Sequence, residues 1–130
     1  MKPQGLKTRI FLDSGDPQET KAVIEKLGFL DGQPTNPSLI AKNPETAGKK
    51  FSRSEILEFY KKIVQEIAGL IPEGSVSIEV YADPSTTSEQ MLAQAREFFS
   101  WIPGAHIKFP TTTEGLKAAE QAVKEGLRVN

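Results

Sequence analysis

The segment Ala105-His106-Ile107-Lys108-Phe109-Pro110 places a lysine at an alternate position of an otherwise apolar strand. A buried ammonium group must be paired with an opposite charge or lose its proton, because desolvation disfavours the charged form. A neutral, desolvated lysine is a nucleophile toward carbonyl carbon, so Lys108 suggests Schiff-base chemistry. A surface lysine on an edge strand explains the same pattern without any chemistry, and periodicity alone does not separate the two interpretations.

Two other segments alternate in the same way, and each carries a carboxylate near its carboxyl end. In Val76–Tyr81 three apolar residues face one side and Glu79 lies on the other, while Thr8–Asp13 is a short buried strand that ends in Asp13. The polar side of the sheet therefore collects Asp13, Glu79 and Lys108, provided that the three strands are neighbours.

Helical patterns separate these strands. Asp16-Pro17 and the capping box Ser52–Glu55 are typical helix starts, and Gly28 is a typical helix end. The predicted helices are 19–27, with Ala22, Val23 and Leu27 as its apolar stripe, then 52–70, 87–99 and 114–124. The remaining predicted segments are a weaker strand at 29–33, a rigid loop at 34–38, an exposed loop at 42–51 and the start of a fifth strand at 127–130.

Alternating strands and helices predict an α/β fold with a parallel sheet. Strands that alternate, rather than being apolar on both sides, favour a (β/α) barrel of the TIM type, whose active site forms at the carboxyl ends of the strands. We therefore predict a single domain, 1–130, that forms about the first five strands of a partial barrel. A three-layer sandwich with a polar crevice at the same end is the alternative.

Composition excludes several functional classes. The chain has 130 residues, 16 basic and 17 acidic, and a net charge of −1, which leaves no electrostatic footprint for nucleic acid or an anionic membrane. It has no cysteine and one histidine, so thiol catalysis and a histidine-rich metal site are excluded. Its first residues lack the apolar core of a signal peptide, and we expect a soluble, cytoplasmic protein without metal or cofactor.

Asp13, Glu79 and Lys108 are the three side chains that could carry out a reaction together. Glu79 could move protons through a water at a carbinolamine, and Asp13 could act on a substrate hydroxyl. Neighbouring carboxylates raise the pKa of a lysine, whereas burial lowers it. An ion-pair network without chemistry is the alternative interpretation.

Other polar residues can be explained by local capping or packing as well as by a functional role. Asn36, in a proline-bracketed loop, could present its amide to a polyol, although a local cap explains it equally well. Thr112 is expected to cap the following helix, with substrate contact secondary. His106 is expected to be packed and hydrogen-bonded, and Trp101 to pack in the core.

Several blocks in chain order resemble the transaldolase family, including the small fructose-6-phosphate aldolase-like enzymes. The resemblance covers essentially the whole chain, and its blocks are specific in combination. They are Ile10-Phe11-Leu12-Asp13, Asp31-Gly32-Gln33-Pro34-Thr35-Asn36-Pro37-Ser38-Leu39-Ile40, Ser77-Ile78-Glu79-Val80, Ile107-Lys108-Phe109-Pro110 with Thr112-x-Glu114-Gly115-Leu116, and Gly126-Leu127-Arg128-Val129-Asn130.

The resemblance implies metal-free class I aldol chemistry on a (β/α)₈ barrel. Lys108 matches the Schiff-base lysine that carries a dihydroxyacetone unit between sugar phosphates in the pentose phosphate pathway. Asp13 matches the acid/base aspartate, and Glu79 matches the glutamate that relays protons through a water. The matching substrate-binding residues are Asn36, Asn130, Thr35 and Thr112, of which Thr112 is the weaker correspondence.

Two departures limit these expectations. Pro34 stands where the family commonly has a threonine, so a hydroxyl group of the family's loop is missing here. The chain also ends at the fifth strand, whereas a complete barrel needs roughly 200 residues or more. We therefore expect impaired activity in a lone chain, which is either an N-terminal part of a longer transaldolase or one half of a homo-oligomer. A non-catalytic partial barrel that self-associates or binds a partner is the alternative function.

Overall fold

The computed structural model describes all 130 residues. Helices and strands alternate along the chain, as predicted. The strands are β1 (Gly32–Pro34), β2 (Ser75–Glu79) and β3 (Ala105–Lys108). The helices are α1 (Pro17–Leu27), α2 (Pro37–Ala41), α3 (Arg53–Leu70), α4 (Ser88–Phe99) and α5 (Thr113–Lys124), with a 3₁₀ turn at Pro44–Thr46.

The three strands form one parallel sheet in the order β1-β2-β3. An isolated parallel bridge extends each edge, joining Phe11 to Gly32 on one side and Val129 to Ile107 on the other. The predicted first and fifth strands are therefore present only as single bridged positions. The physical reason is that each lies at an edge with a neighbour on one side only, so one row of its backbone groups has no partner strand.

The order of the segments in the sheet follows their order in the chain. In a sequentially ordered parallel sheet, right-handed crossovers place every helix on the same face. The doubly wound sandwich reverses its strand order at a switch point, and no reversal occurs here. The α/β class and parallel sheet are confirmed, and the arrangement is consistent with part of a TIM-type barrel.

The helix boundaries follow the capping signals. Asp16 caps α1 through the N–H of Gln18, and Gly28 ends it in the left-handed conformation with φ of 78°. Ser52 and Glu55 form the predicted capping box at the start of α3. Local hydrogen bonds, from side chains to the backbone at the two starts and within the backbone at Gly28, thus define these helix ends.

The helix-facing side of the sheet forms the core. Ile78 and Ile107 are fully buried there, and they pack with the inner faces of α3 and α4. Phe98 and Trp101 lie with ring centroids 4.2 Å apart, and Trp101 is buried as predicted. The fully buried Tyr60 contacts both rings edge-on.

The apolar stripe predicted for α1 is partly wrong. Leu27 is 49% exposed and Ala22 is also exposed. Val23 and Ile24 instead pack against the core, together with the buried Thr20. Because α1 meets the sheet beside only a bridged edge segment, one flank of the helix has nothing to pack against.

Two predicted loops are also more structured than expected. Asn36 caps the short helix α2, which begins at Pro37 inside the predicted rigid loop. The predicted exposed loop at 42–51 contains the 3₁₀ turn and buries Asn43 and Thr46. The Nδ2 of Asn43 donates to the Gly15 carbonyl at 2.8 Å, which joins this loop to the end of the first extended segment. None of the helices has the length and apolar character needed to cross a membrane.

Candidate functional site

Lys108 and Glu79 are register partners on β3 and β2, each at the carboxyl end of its strand. Side chains of directly opposed residues lie on the same face of a sheet. The Lys108 Nζ is 3.6 Å from Glu79 Oε2. The structure therefore brings together two of the three residues predicted to carry chemistry.

Neither side chain is fully desolvated. Lys108 is 30% exposed and Glu79 is 23% exposed. The expected deeply buried lysine is thus a half-buried one, paired with a carboxylate. The reason is that the face opposite the helices has no second layer over it, so solvent reaches the ends of both side chains.

Asp13 lies near the edge of the sheet that is farther from Lys108, directly after the extended segment that contains the Phe11 bridge. Its side chain is exposed and makes no salt bridge or hydrogen bond. In the sheet order, β1 and β2 separate its segment from the Lys108 strand. The predicted triad is therefore only partly assembled, with Asp13 at the same end of the sheet but without contact to Lys108.

Asn36 lies near Glu79 at the end of β1. The two residues line a cavity of about 340 Å³ together with Pro110, which follows the Lys108 strand. The Oδ1 of Asn36 accepts a hydrogen bond from the Leu39 N–H at 2.8 Å, so the cap interpretation is confirmed for this atom. The Nδ2 of Asn36 has no protein partner and remains available to a ligand.

Thr35 does not line this cavity, contrary to its expected role as a substrate contact. It is fully buried, and its hydroxyl donates to the Ser77 carbonyl at 2.7 Å. One residue further along the strand, Asn36 faces the opposite side, because side chains alternate across a sheet. Thr35 therefore points into the helix layer and is not accessible to a sugar.

The remaining predicted residues have structural partners. Thr112 caps α5, with its Oγ1 accepting from the Gly115 N–H at 3.0 Å, as expected. Asn130 donates from Nδ2 to Ser77 Oγ at 2.7 Å, which connects the last residue to the middle strand. His106 is half-buried, and its Nδ1 lies 3.2 Å from the Gly104 carbonyl oxygen.

Tyr60 is the residue that sequence reasoning missed. It stands in the apolar series of α3, and nothing in that pattern indicates a polar role. Its hydroxyl accepts from the Glu79 N–H at 3.0 Å and lies 3.1 Å from Thr35 Oγ1. Burial raises the pKa of Tyr60 well above its ordinary value, so its hydroxyl keeps its proton.

A larger hollow of about 830 Å³ lies between α3 and α4. It meets the smaller cavity at Tyr81 and Ala82 but includes neither Lys108 nor Glu79. The smaller cavity is therefore the candidate site, because Glu79 of the charged pair lines it, although Lys108 lines neither cavity. No group of three or more His, Asp or Glu side chains is placed to share a metal ion.

Comparisons with known proteins agree with this arrangement. The family described as transaldolase/fructose-6-phosphate aldolase matches residues 10–130. A probable transaldolase of Dehalococcoides mccartyi is 42% identical over 123 residues, which cover 94% of this chain and 49% of that protein. A probable transaldolase of Streptococcus agalactiae is 34% identical over 122 residues, which cover 94% of this chain and 48% of that protein.

A third relative, a probable transaldolase of Roseiflexus sp., is 37% identical over 122 residues, with 48% of its length covered. The chain thus spans about half the length of the curated relatives that it matches. A match that extends from the first extended segment to Asn130 includes both members of the charged pair. The chain therefore belongs to the transaldolase/fructose-6-phosphate aldolase family.

Proposed function

We propose that this chain carries the nucleophile-bearing part of a transaldolase-type site, in which Lys108 forms a Schiff base with a ketose phosphate. The observation that supports this most directly is the Lys108–Glu79 pair, 3.6 Å apart at the carboxyl ends of neighbouring strands. This is the end of a parallel α/β sheet at which ligands bind. Membership of the family supports the same chemistry.

In the proposed reaction, Glu79 first takes a proton from the Lys108 ammonium group, and the neutral amine then adds to the ketone carbon of the donor and gives a carbinolamine. Glu79 donates a proton through a water, the carbinolamine hydroxyl leaves as water, and an iminium ion remains on Lys108. A base then removes the proton of the C4 hydroxyl, the C3–C4 bond breaks, and an aldehyde leaves. The enamine that remains on Lys108 takes up an acceptor aldehyde by the reverse steps.

We assign the remaining roles by position. Asp13 is the proposed base for the C4 hydroxyl, and it acts when the polar face is curved enough to bring its segment toward Lys108. Asn36 contributes its free Nδ2 to a donor hydroxyl beside the cavity. Asn130 and Thr112 are weaker candidates, because Asn130 already donates to Ser77 and Thr112 already caps α5.

The wider assignment follows the family. We propose a three-carbon transferase of the pentose phosphate pathway, located in the cytoplasm, whose residues 1–130 form a single domain. We also propose that the chain works as an oligomer, since α5 exposes the apolar side chains of Leu116 and Val123. The non-catalytic alternative lacks an observation that favours it.

Borohydride trapping tests the proposed function. The chain is incubated with fructose 6-phosphate or dihydroxyacetone, reduced with borohydride, and its intact mass is measured. The expected result is a single donor adduct in the original chain and its loss in Lys108→Met. Absence of an adduct at saturating donor, or an undiminished adduct in Lys108→Met, contradicts the proposal.

A further inference from the structure

The ladder of hydrogen bonds between β1 and β2 stops short of the candidate site. Its last backbone rung is the Thr35 N–H donating to the Ser77 carbonyl at 2.9 Å. The next donor along β2 is the Glu79 N–H, which has no backbone partner and instead donates to the Tyr60 hydroxyl at 3.0 Å. A side chain from α3 thus takes the place of the missing rung.

The direction of the hydrogen bonds follows from the available protons. Thr35 Oγ1 uses its one proton toward the Ser77 carbonyl at 2.7 Å, so it can only accept from the Tyr60 hydroxyl at 3.1 Å. The other acceptor near the Tyr60 hydroxyl, the Glu79 carbonyl oxygen, is more distant at 3.4 Å. The result is a continuous chain that runs from Glu79 N–H through the Tyr60 and Thr35 hydroxyls to Ser77. Such chains strengthen cooperatively when they are buried, and Tyr60 and Thr35 are both fully buried.

This chain of hydrogen bonds joins the ends of β1 and β2, which present the candidate residues. Thr35 directly precedes Asn36 on one side, and the bonded amide belongs to Glu79 itself on the other. Glu79 is in turn the salt-bridge partner of Lys108. A small displacement of the β2 end therefore moves the carboxylate relative to both the amine and the Asn36 amide.

We infer that Tyr60 is a positioning residue whose buried hydroxyl sets where Glu79 and Asn36 stand relative to Lys108. The inference deepens the proposed function and rests on it for its catalytic part. Its structural part stands by itself, because the contacts are independent of any substrate. Tyr60 lies on the helix side of the sheet and does not line the cavity, so it acts through its neighbours and not on a ligand.

The test compares Tyr60→Phe with the original chain, because phenylalanine retains the ring packing and removes only the hydroxyl. Thr46→Val is the matched control, since it removes another buried hydroxyl, one that donates to the Ala41 and Asn43 carbonyls away from the site. Hydrogen exchange of the Glu79 amide is the first readout. The Val80 amide, which donates to the Lys108 carbonyl, is the internal reference.

We expect Tyr60→Phe to accelerate exchange of the Glu79 amide at least tenfold relative to Val80, and Thr46→Val to leave this ratio unchanged. The second readout is the NMR signal of dimethylated Lys108, which senses the nearby carboxylate. In Tyr60→Phe this signal moves toward its position in Glu79→Gln. An unchanged exchange ratio or an unmoved Lys108 signal overturns the inference.

Adduct formation supplies the third readout. We expect Tyr60→Phe to slow borohydride-trapped adduct formation about tenfold at subsaturating donor, with Thr46→Val close to the original rate. If the original chain forms no adduct, the proposed function fails, whereas the amide and Lys108 signals still decide the role of Tyr60. If Tyr60→Phe does not fold, Thr35→Val breaks the same hydrogen-bond chain one link further, and the same signals must shift in the same direction.

Discussion

At the scale of single residues, the ion pair between Lys108 and Glu79 has two candidate uses, which are stabilisation of the fold and proton transfer at a bound ligand. The cost of desolvating two charges offsets much of the attraction within a largely buried ion pair, and each of these side chains keeps only about a quarter of its exposure. A pair of this kind is therefore poorly explained as a stabilising device. Its position at the strand ends, beside a cavity lined by Asn36 and Pro110, favours proton transfer at a bound ligand.

Replacement of the carboxylate separates these two uses. We expect Glu79→Gln to slow adduct formation at Lys108 by about 10²-fold, the usual contribution of one general acid or base, with little change in stability. Glu73→Gln, an equal charge change at the opposite end of β2, is the control and is expected to keep the original rate. The measurement is the rate of borohydride trapping, and equal rates in the two variants refute a proton-transfer role for Glu79.

The sequence predicts Lys108 and Glu79 but not their surroundings. Both stand out because a charge interrupts an alternating apolar strand, which is a local signal. The roles of Thr35 and Tyr60 depend on which side of β1 faces α3, and on where the ladder ends. Those are tertiary facts, so neither the burial of Thr35 nor the polar contact of Tyr60 can be predicted from the local sequence pattern.

At the scale of elements, the helix starts are well predicted because their signals are local. Asp16, Ser52, Thr87 and Thr112 each accept a hydrogen bond from a backbone N–H in the first turn of the helix that follows. The edge strands are predicted less well, because a strand needs a partner on at least one side and gains from a second. The pattern at Thr8–Asp13 describes a strand, but only Phe11 is bridged.

The pairing of α4 with α5 makes stability depend on pH. The Arg96 guanidinium holds the pKa of Glu125 at about 2 through two hydrogen bonds of 2.8 and 2.7 Å. Lys117 and the Ser88 N–H hold the pKa of Glu114 at about 2. Since both values lie below the ordinary 4.5, these contacts contribute fully above about pH 4.5 and are lost as the pH falls toward 2.

We therefore expect the urea midpoint of the chain to fall between pH 4.5 and pH 2.5, and to fall less steeply in Glu125→Gln. Circular dichroism at a series of pH values provides the measurement. Glu97→Gln is the control, because it makes the same charge change on α4 at a side chain without a salt bridge, and its slope should match that of the original chain. A slope that is unaltered in Glu125→Gln contradicts the assignment.

At the scale of the whole molecule, one flank of α5 has no neighbour. Glu114 and Glu125 bond to α4 on one side of the helix. On the opposite side Leu116 is 60% exposed and Val123 is 61% exposed. An exposed apolar helix flank is a surface that proteins usually cover, and the oligomer proposed above would cover it with a second copy of the chain.

Sedimentation equilibrium tests this association. We expect a dimer or larger species at micromolar concentration and a shift toward monomer in Leu116→Lys or Val123→Lys. Burial of one such side chain contributes about 1.5–3 kcal/mol, which corresponds to a tenfold or greater loss of association. Leu27→Lys, at a similarly exposed residue on α1, shows whether the partner surface includes that helix. A monomeric original chain at these concentrations contradicts the proposed assembly.

The position of the trapped adduct decides whether Lys108 is the Schiff-base nucleophile. The chain is reduced with borohydride in the presence of fructose 6-phosphate, digested, and mapped by peptide mass spectrometry. We expect the donor-derived mass on Lys108, while the exposed pair Lys49 and Lys50 stays unmodified. An adduct spread over the surface lysines, or one centred on any lysine other than Lys108, contradicts it.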